Sequence, residues 1–232
     1  MLDAHVVKRR RPFTVDVHIH ARPGEKLALF GASGAGKSTV LSCLAGIDTP
    51  DDGQISFGDL RLFPPSLPLY RRPLAYLTQA SWLFPHLTVG QNVCYGLHKN
   101  DGDSAKKWIE ELKERLDLSA LWNESASRIS GGQARRVALA RMLARRPPLV
   151  LLDEPFTALD RPAMNELIAA ILDWHAVLGF TLIAVDHRAE VLEKLCPSAM
   201  VVERGRVVQE GSWSALAATP ATPLLAQLLD RK

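Results

Sequence analysis

No run of apolar residues in this chain of 232 comes near the roughly 18 that a helix needs to cross a bilayer. That absence confines any membrane role to the periphery. The basic, proline-containing N-terminus has no signal-peptide h-region, so no export signal is expected there. Cysteine is scarce: Cys43, Cys94 and Cys196 are odd in number, share no C-x-x-C spacing and fall in apolar surroundings. They read as buried free thiols in a reducing compartment. Net charge is only +3, and the tightest basic run, Lys8, Arg9, Arg10 and Arg11, stands alone amid interspersed charge. It reads as a solvated strand end, and no nucleic acid partner is implied. His18 and His20 lie two apart on what would be one strand face, but no third ligand stands near them in sequence. No metal is expected at that pair.

Against these absences, 47% of the residues are hydrophobic, enough for a sizeable core in one large or two small domains of about 150 residues each. Residues 13–20 (FTVDVHIH) alternate apolar and polar with period two, as a half-buried antiparallel strand does. Residues 27–30 (LALF), 149–152 (LVLL) and 181–185 (TLIAV) are almost continuously apolar, and each precedes a turn and a helical pattern. Strands buried on both faces of a parallel sheet have that composition, so the wiring is α/β. A hairpin is predicted for 200–203 and 206–209 around Arg204 and Gly205. Between Trp82 and about residue 147 the periods become helical, as in an inserted helical subdomain. Pro64, Pro65 and Pro68 mark a stiff loop before strand-like sequence resumes at Leu74.

One stretch carries chemistry outright. Gly31, Ala32, Ser33, Gly34, Ala35, Gly36, Lys37, Ser38 and Thr39 contain G-x-x-x-x-G-K-[ST] in full, after a buried strand and before a helix. Glycines let such a backbone curl until its N–H groups converge on a β-phosphate. Lys37 can then reach the β- and γ-phosphates while the Ser38 hydroxyl ligates Mg²⁺. The chain is therefore expected to bind a nucleoside triphosphate. A carboxylate at the end of a neighbouring strand is the second requirement, and the run 149–152 ends in two. Asp153 is placed to hold magnesium, and Glu154, one residue on, to polarise the attacking water as a general base.

In order and spacing these motifs resemble the ATP-binding cassette ATPases that power ABC transporters, over about residues 13–211. The turn of Ser130, Gly131, Gly132 and Gln133, which presents N–H groups and a helix N-terminus to an anion, is similar to the family's signature sequence. The resemblance implies a single ABC ATPase domain over 1–232: a P-loop NTPase core with a mixed sheet (about 1–80 and 148–211), an N-terminal antiparallel β-subdomain, a helical subdomain (about 82–147) and a tail (about 212–232). It implies ATP and Mg²⁺ as cofactors and a head-to-tail dimer with a second copy of the chain, in which Ser130, Gly132 and Gln133 of one copy close over ATP held by the other. Gln79 resembles the Q-loop glutamine that senses Mg²⁺, Asp160 the D-loop aspartate, with Thr157 where serine is common, and His187 the switch histidine that contacts the γ-phosphate. Two departures stand out. Asp186 and Arg188 flank His187 where the family has other neighbours, and the two are expected to compensate each other. The family's adenine-stacking tyrosine is also missing, leaving Phe13 or Arg10 to stack on the base, with Phe13 preferred.

Functions within the family diverge. The apolar stretch 81–87 (SWLFPHL), with Trp82 and Phe84, would be a liability unless covered, as by an integral-membrane permease subunit. A transport-coupled ATP hydrolase, peripheral on the cytoplasmic face of the cell membrane, is the expected role. The stretches KRRRPFTVDV and RRPLAYLTQASWLFPHLTV look like molybdate, sulfate, iron or thiamine importer cassettes. The tail with Pro220 and Pro223 is expected to be too short for the regulatory β-domain of some such relatives. The alternative is a soluble cassette in a non-transport process. Such relatives carry paired cassettes, zinc modules or inserted arms, and none of these patterns is evident.

Overall fold

A computed structural model describes residues 1–78, 80–97, 102–157 and 159–230. In chain order these form β1 (Leu2–Arg9), β2 (Thr14–Ala21), β3 (Lys26–Phe30), α1 (Lys37–Ala45), β4 (Asp52–Phe57), β5 (Leu60–Phe63), β6 (Leu74–Leu77), α2 (Val89–Cys94), α3 (Gly102–Arg115), α4 (Gly131–Leu143), β7 (Leu149–Asp153), α5 (Arg161–Leu178), β8 (Thr181–Val185), α6 (Ala189–Leu195), β9 (Ser198–Glu203), β10 (Arg206–Ser212), α7 (Trp213–Ala218) and α8 (Pro223–Leu229). The strands join in the order β5-β4-β1-β2-β10-β9-β3-β8-β7-β6. The result is a mixed α/β fold. Its contacts divide it into two compact units, 1–76 with 148–155 and 179–232, and 77–147 with 156–178.

In the first unit β3, β7 and β8 run parallel, and nearly every residue in them is buried. That is why the sequence shows them as unbroken apolar runs rather than alternations. β1 and β2 are antiparallel in register from Leu2 opposite Ala21 to Arg9 opposite Thr14. Leu2, Ala4, Val6, Val15, Val17, Ile19 and Ala21 enter the core, each fully buried aliphatic side chain stabilising the fold by about 1.5–3 kcal/mol. Strands β4 and β5 have no counterpart in the sequence reading, and of β1 only its end at Lys8 and Arg9 was read, as a solvated strand end; its weaker alternation over 2–9 becomes legible through pairing with β2 and β4. The predicted hairpin is present as β9 and β10, with Arg206 opposite Glu203. Arg204 and Gly205 both take positive φ, 46° and 80°, as a two-residue turn matched to strand twist requires.

The proline loop delivers a residue that no local pattern marks. Arg72, 5% exposed, donates from Nη1 to the carbonyls of Cys43 at 2.9 Å and Leu44 at 2.6 Å, and from Nε to that of Leu67 at 2.7 Å. Its guanidinium thus caps the carbonyl end of α1, where a cation also meets the negative end of the helix dipole. Gly46 closes the same end at φ 81°, and a Cβ there would collide with the Arg72 guanidinium.

The second unit includes α5 as well as the helical stretch expected at 82–147. Met164, Leu167, Ile168, Ile171 and Trp174 form the buried stripe of that helix, and Trp174 meets Trp108 of α3 edge-on at 4.8 Å. Arg115 lies over Trp174 and Arg146 over Trp108, both at 4.8 Å, so two cations flank the aromatic pair. Trp108 donates its indole N–H to the Leu143 carbonyl at 3.1 Å, bringing in the end of α4.

Candidate functional site

The turn between β3 and α1 is built so that its backbone closes tightly. Gly31 sits at φ 146°, where a Cβ would collide with the Val202 carbonyl, and Gly36, the N-cap of α1, sits at φ 105° with Val15 Cγ2 only 2.8 Å from any added Cβ. Side chains cannot occupy either position. No side chain caps the N-terminus of α1, and its first turn holds no acid, so its first backbone N–H groups keep the positive end of the helix field. Lys37 is 5% exposed and donates from Nζ to the carbonyls of Gly31 and Ala32, both at 2.8 Å. Burial pushes its ammonium below the ordinary lysine range, while the charges of Glu154, Asp153 and Asp186 pull it back up. The loop therefore stores a buried cation among carboxylates.

Asp153 ends β7 with both carboxylate oxygens engaged. Ser38 donates its hydroxyl to Oδ1 at 2.8 Å, and Tyr76 donates its phenol to Oδ2 at 2.9 Å. Burial beside that carboxylate drives the Tyr76 phenol well above its ordinary range, so it stays a donor. Two hard oxygen donors in contact, one held in orientation by a third group, fit a small divalent cation such as Mg²⁺. Tyr76 is a residue that sequence reading missed, since nothing local distinguishes it from any strand tyrosine. Glu154 follows at φ 48°, an uncommon conformation for a residue with a side chain, with its N–H bonded to the Val185 carbonyl at 2.9 Å. Its charge is the largest of the acidic influences on Lys37.

At the end of β8, Asp186 is fully buried and receives Arg188 three times: from the backbone N–H and Nε on Oδ1, both at 3.0 Å, and from Nη2 on Oδ2 at 3.1 Å. The pairing raises the Arg188 guanidinium above its usual range. The expected compensation between the two is present in this geometry. His187 between them is 55% exposed, with Nδ1 3.6 Å from Asp186 Oδ1. Phe13 is half-buried, with its ring edge beside Gly36 and Gly205, next to the phosphate turn. Arg10, the other candidate for the base, is ion-paired with Asp48 instead.

In the second unit Ser130 is the N-cap of α4: its Oγ accepts from the Gln133 N–H at 3.3 Å, and its own N–H donates to Gln133 Oε1 at 2.8 Å. Gln133 is thereby folded back onto the turn as the second half of a capping box. A hydroxyl that accepts there keeps its own proton to donate. A Cβ added at Gly131 or Gly132 would meet nothing within 4 Å, so the turn faces open space. It forms one rim of a cleft of about 710 Å³ that Arg136, Asp173 and Trp174 also line. Asp160 caps α5, its Oδ1 accepting from the Ala163 N–H at 2.8 Å. Trp82 is 74% exposed, whereas Phe84 is half-buried against Tyr95 at 4.2 Å, with Arg141 over its ring. Gln79 lies outside the described residues. Cys43 and Cys196 are buried free thiols, raised by burial to about 11 and about 12, while Cys94 is only partly buried, which corrects the expectation of three buried thiols. The sequence reading paired His18 with His20 and passed over Asp16, two residues before His18; in the structure His20 faces Asp3 instead, while β1 places His5 directly opposite His18 with Asp16 beside them. Among the described residues no helix is long and apolar enough to cross a membrane.

Comparison with known proteins agrees with this geometry. The ABC transporter family profile matches residues 14–157. The chain is 37% identical to the thiamine import ATP-binding protein of Jannaschia sp. over 93% of its own length and 94% of the relative's. It is 36% identical to the sulfate/thiosulfate import ATP-binding protein of Synechocystis sp., covering 95% of this chain and 63% of that one. A solved ATP-binding cassette, dimeric and bound to ADP and Pi in a post-hydrolysis state, superposes with a TM-score of 0.78 at 25% identity, covering 91% of this chain and 98% of that one. With its phosphate turn, strand-end acids and mixed sheet, the chain belongs to the ABC transporter family as one of its ATP-binding, ATP-hydrolysing cassettes.

Proposed function

We propose that this cassette is the motor subunit of a bacterial importer, a single ATPase domain that works as a head-to-tail pair. The observation that carries the reading is the contact of Ser38 with Asp153 beside the buried Lys37, an arrangement suited to a triphosphate and its cation and to little else. Gly31 to Thr39 wrap the phosphates with backbone N–H groups, and Lys37 turns its ammonium from the loop carbonyls toward the β- and γ-oxygens. Ser38 and Asp153, with Gln79, would hold Mg²⁺, which would supply charge neutralisation to the phosphates. Glu154 takes the proton of the attacking water, and His187 contacts the γ-phosphate. Phe13 packs against the base.

The open turn at Ser130 and Gly132 serves the nucleotide of the other copy, with Gln133 bracing it and Asp160 near the same interface. Each helix N-terminus contributes roughly 0.3–2 kcal/mol toward an anion. ATP then joins the two copies, and loss of the γ-phosphate contacts lets them part. Exposed Trp82, with Phe84 behind it, meets the integral-membrane permease, which places the subunit peripherally on the cytoplasmic face of the membrane. The relatives named for thiamine and sulfate import support a small solute as cargo.

The test is complementation. A Lys37→Ala variant and a Gly132→Glu variant are each inactive alone. In a mixed pair, the intact loop of the second meets the intact turn of the first, so one whole site returns. ATP-dependent association of the mixture above either variant alone, with recovered hydrolysis, is the expected result. If neither appears at any mixing ratio, the shared site is wrong.

A further inference from the structure

The outer face of the β1–β2 ladder carries a cluster that nucleotide chemistry does not use. The inward residues Ala4, Val6 and Val17 are buried, so His5, Asp16 and His18 are forced to the opposite face of a ladder held by its own core. His5 and His18 are direct cross-strand partners whose rings lie 3.8 Å apart and within 13° of parallel. Asp16, two residues before His18 on the same face, has Oδ1 2.9 Å from His5 Nε2. One ligand atom from each residue lies within 4.8 Å of the other two.

We propose that His5, Asp16 and His18 form a surface site for a borderline divalent transition cation of the Zn²⁺, Co²⁺ or Ni²⁺ class. Two imidazoles and one carboxylate match the softness of those ions and not that of Mg²⁺ or Ca²⁺, which prefer all-oxygen shells. Metal–ligand bonds of about 2.0–2.2 Å hold ligand atoms about 3.3–3.6 Å apart in a tetrahedron. The widest separation, at most 4.8 Å, must therefore close by up to about 1.5 Å while the 2.9 Å pair of Asp16 and His5 opens by about 0.5 Å, both within the reach of side-chain rotation. His5 is half-buried and Asp16 and His18 are exposed, so the two stacked rings can turn toward one ion from the solvent side, and water can fill the fourth position. On the next rung Asp3 faces His20, with Oδ1 3.6 Å from Nδ1, adding a second acid to the same face. On the other side Arg206 of β10 is register-paired with Asp16 and bounds the site.

The test is titration of the full chain, stripped with chelator and free of nucleotide, with Zn²⁺ by calorimetry and with Co²⁺ by visible absorption. One ion per chain is expected at micromolar concentration, with the intense visible band of tetrahedral cobalt. The double substitution His5→Ala with His18→Ala is expected to weaken binding on the order of a hundredfold, and Asp16→Asn at least about tenfold. Asp153→Asn, which alters the phosphate site, should leave it unchanged. If the alanine pair unfolds, the shift of the His5 and His18 ring signals on adding Zn²⁺ to the unaltered chain replaces it. No saturable binding below millimolar metal, or binding undiminished by the double substitution, or ring signals that do not move, would each overturn the proposal.

Discussion

Helices α1 and α4 both begin at glycine-bearing turns, yet only α4 is capped there by a side chain. α1 has no side-chain cap at Gly36, while its C-terminal carbonyls are closed by Gly46 and by the buried Arg72. α4 is closed at its start by the reciprocal bonds of Ser130 and Gln133, and at its end the Leu143 carbonyl accepts from the Trp108 indole. A helix start that no side chain caps leaves its N–H groups to solvent or a ligand, which is why the proposed function gives the start of α1 to phosphate. The start of α4 is already complete for one of its donors. What remains there is a hydroxyl proton and glycine N–H groups in open space, a surface for something outside the chain.

Removing the cation from the uncapped terminus should have the largest effect. Lys37→Ala is expected to weaken ATP binding on the order of a hundred- to a thousandfold, about 3–4 kcal/mol, by calorimetry. Retention of wild-type affinity would remove Lys37 from the site. Next comes the hold on the far end of α1. Arg72→Ala takes the donor from the Leu44 and Leu67 carbonyls and one of two from that of Cys43, for a loss of about 3 kcal/mol in urea denaturation. Arg72→Lys should restore only part of it, because one ammonium cannot span carbonyls on both the helix and the proline loop. Full rescue by lysine would mean that charge alone, not the fork of the guanidinium, holds the helix. The smallest effect belongs to the self-capped turn. Ser130→Ala is expected to cost about 1 kcal/mol of stability and to speed hydrogen exchange at Gln133. Unchanged exchange there would show that the box does not constrain α4, and the contrast between the two helices would fail.

Much of what the proposed function assigns to catalysis is legible in the sequence because those residues are contiguous. The phosphate turn, the acid pair after 149–152 and the signature turn are each a single short stretch whose meaning is carried by order and spacing. The capping box could also have been read from Ser130 and Gln133, three apart before a helical run, although the sequence reading assigned both residues to a nucleotide. Less legible was the reach of the second unit. A helical pattern was read after 149–152 but not as part of the subdomain at 82–147; α5 joins that unit, where Trp174 meets Trp108, 66 residues earlier.

By itself, the amino-acid sequence determined which backbone can curl around a phosphate, which strands are buried on both faces, and where a carboxylate pair ends a strand. These are consequences of side-chain size and polarity at neighbouring positions. Only the tertiary structure decided that Tyr76 would lock the far oxygen of Asp153, 77 positions away, that Arg72 would close α1 across 29, and that His5 would face His18. Those contacts depend on strand order, register and the path of a loop. Burial of the whole core selects these together, and no local stretch encodes them.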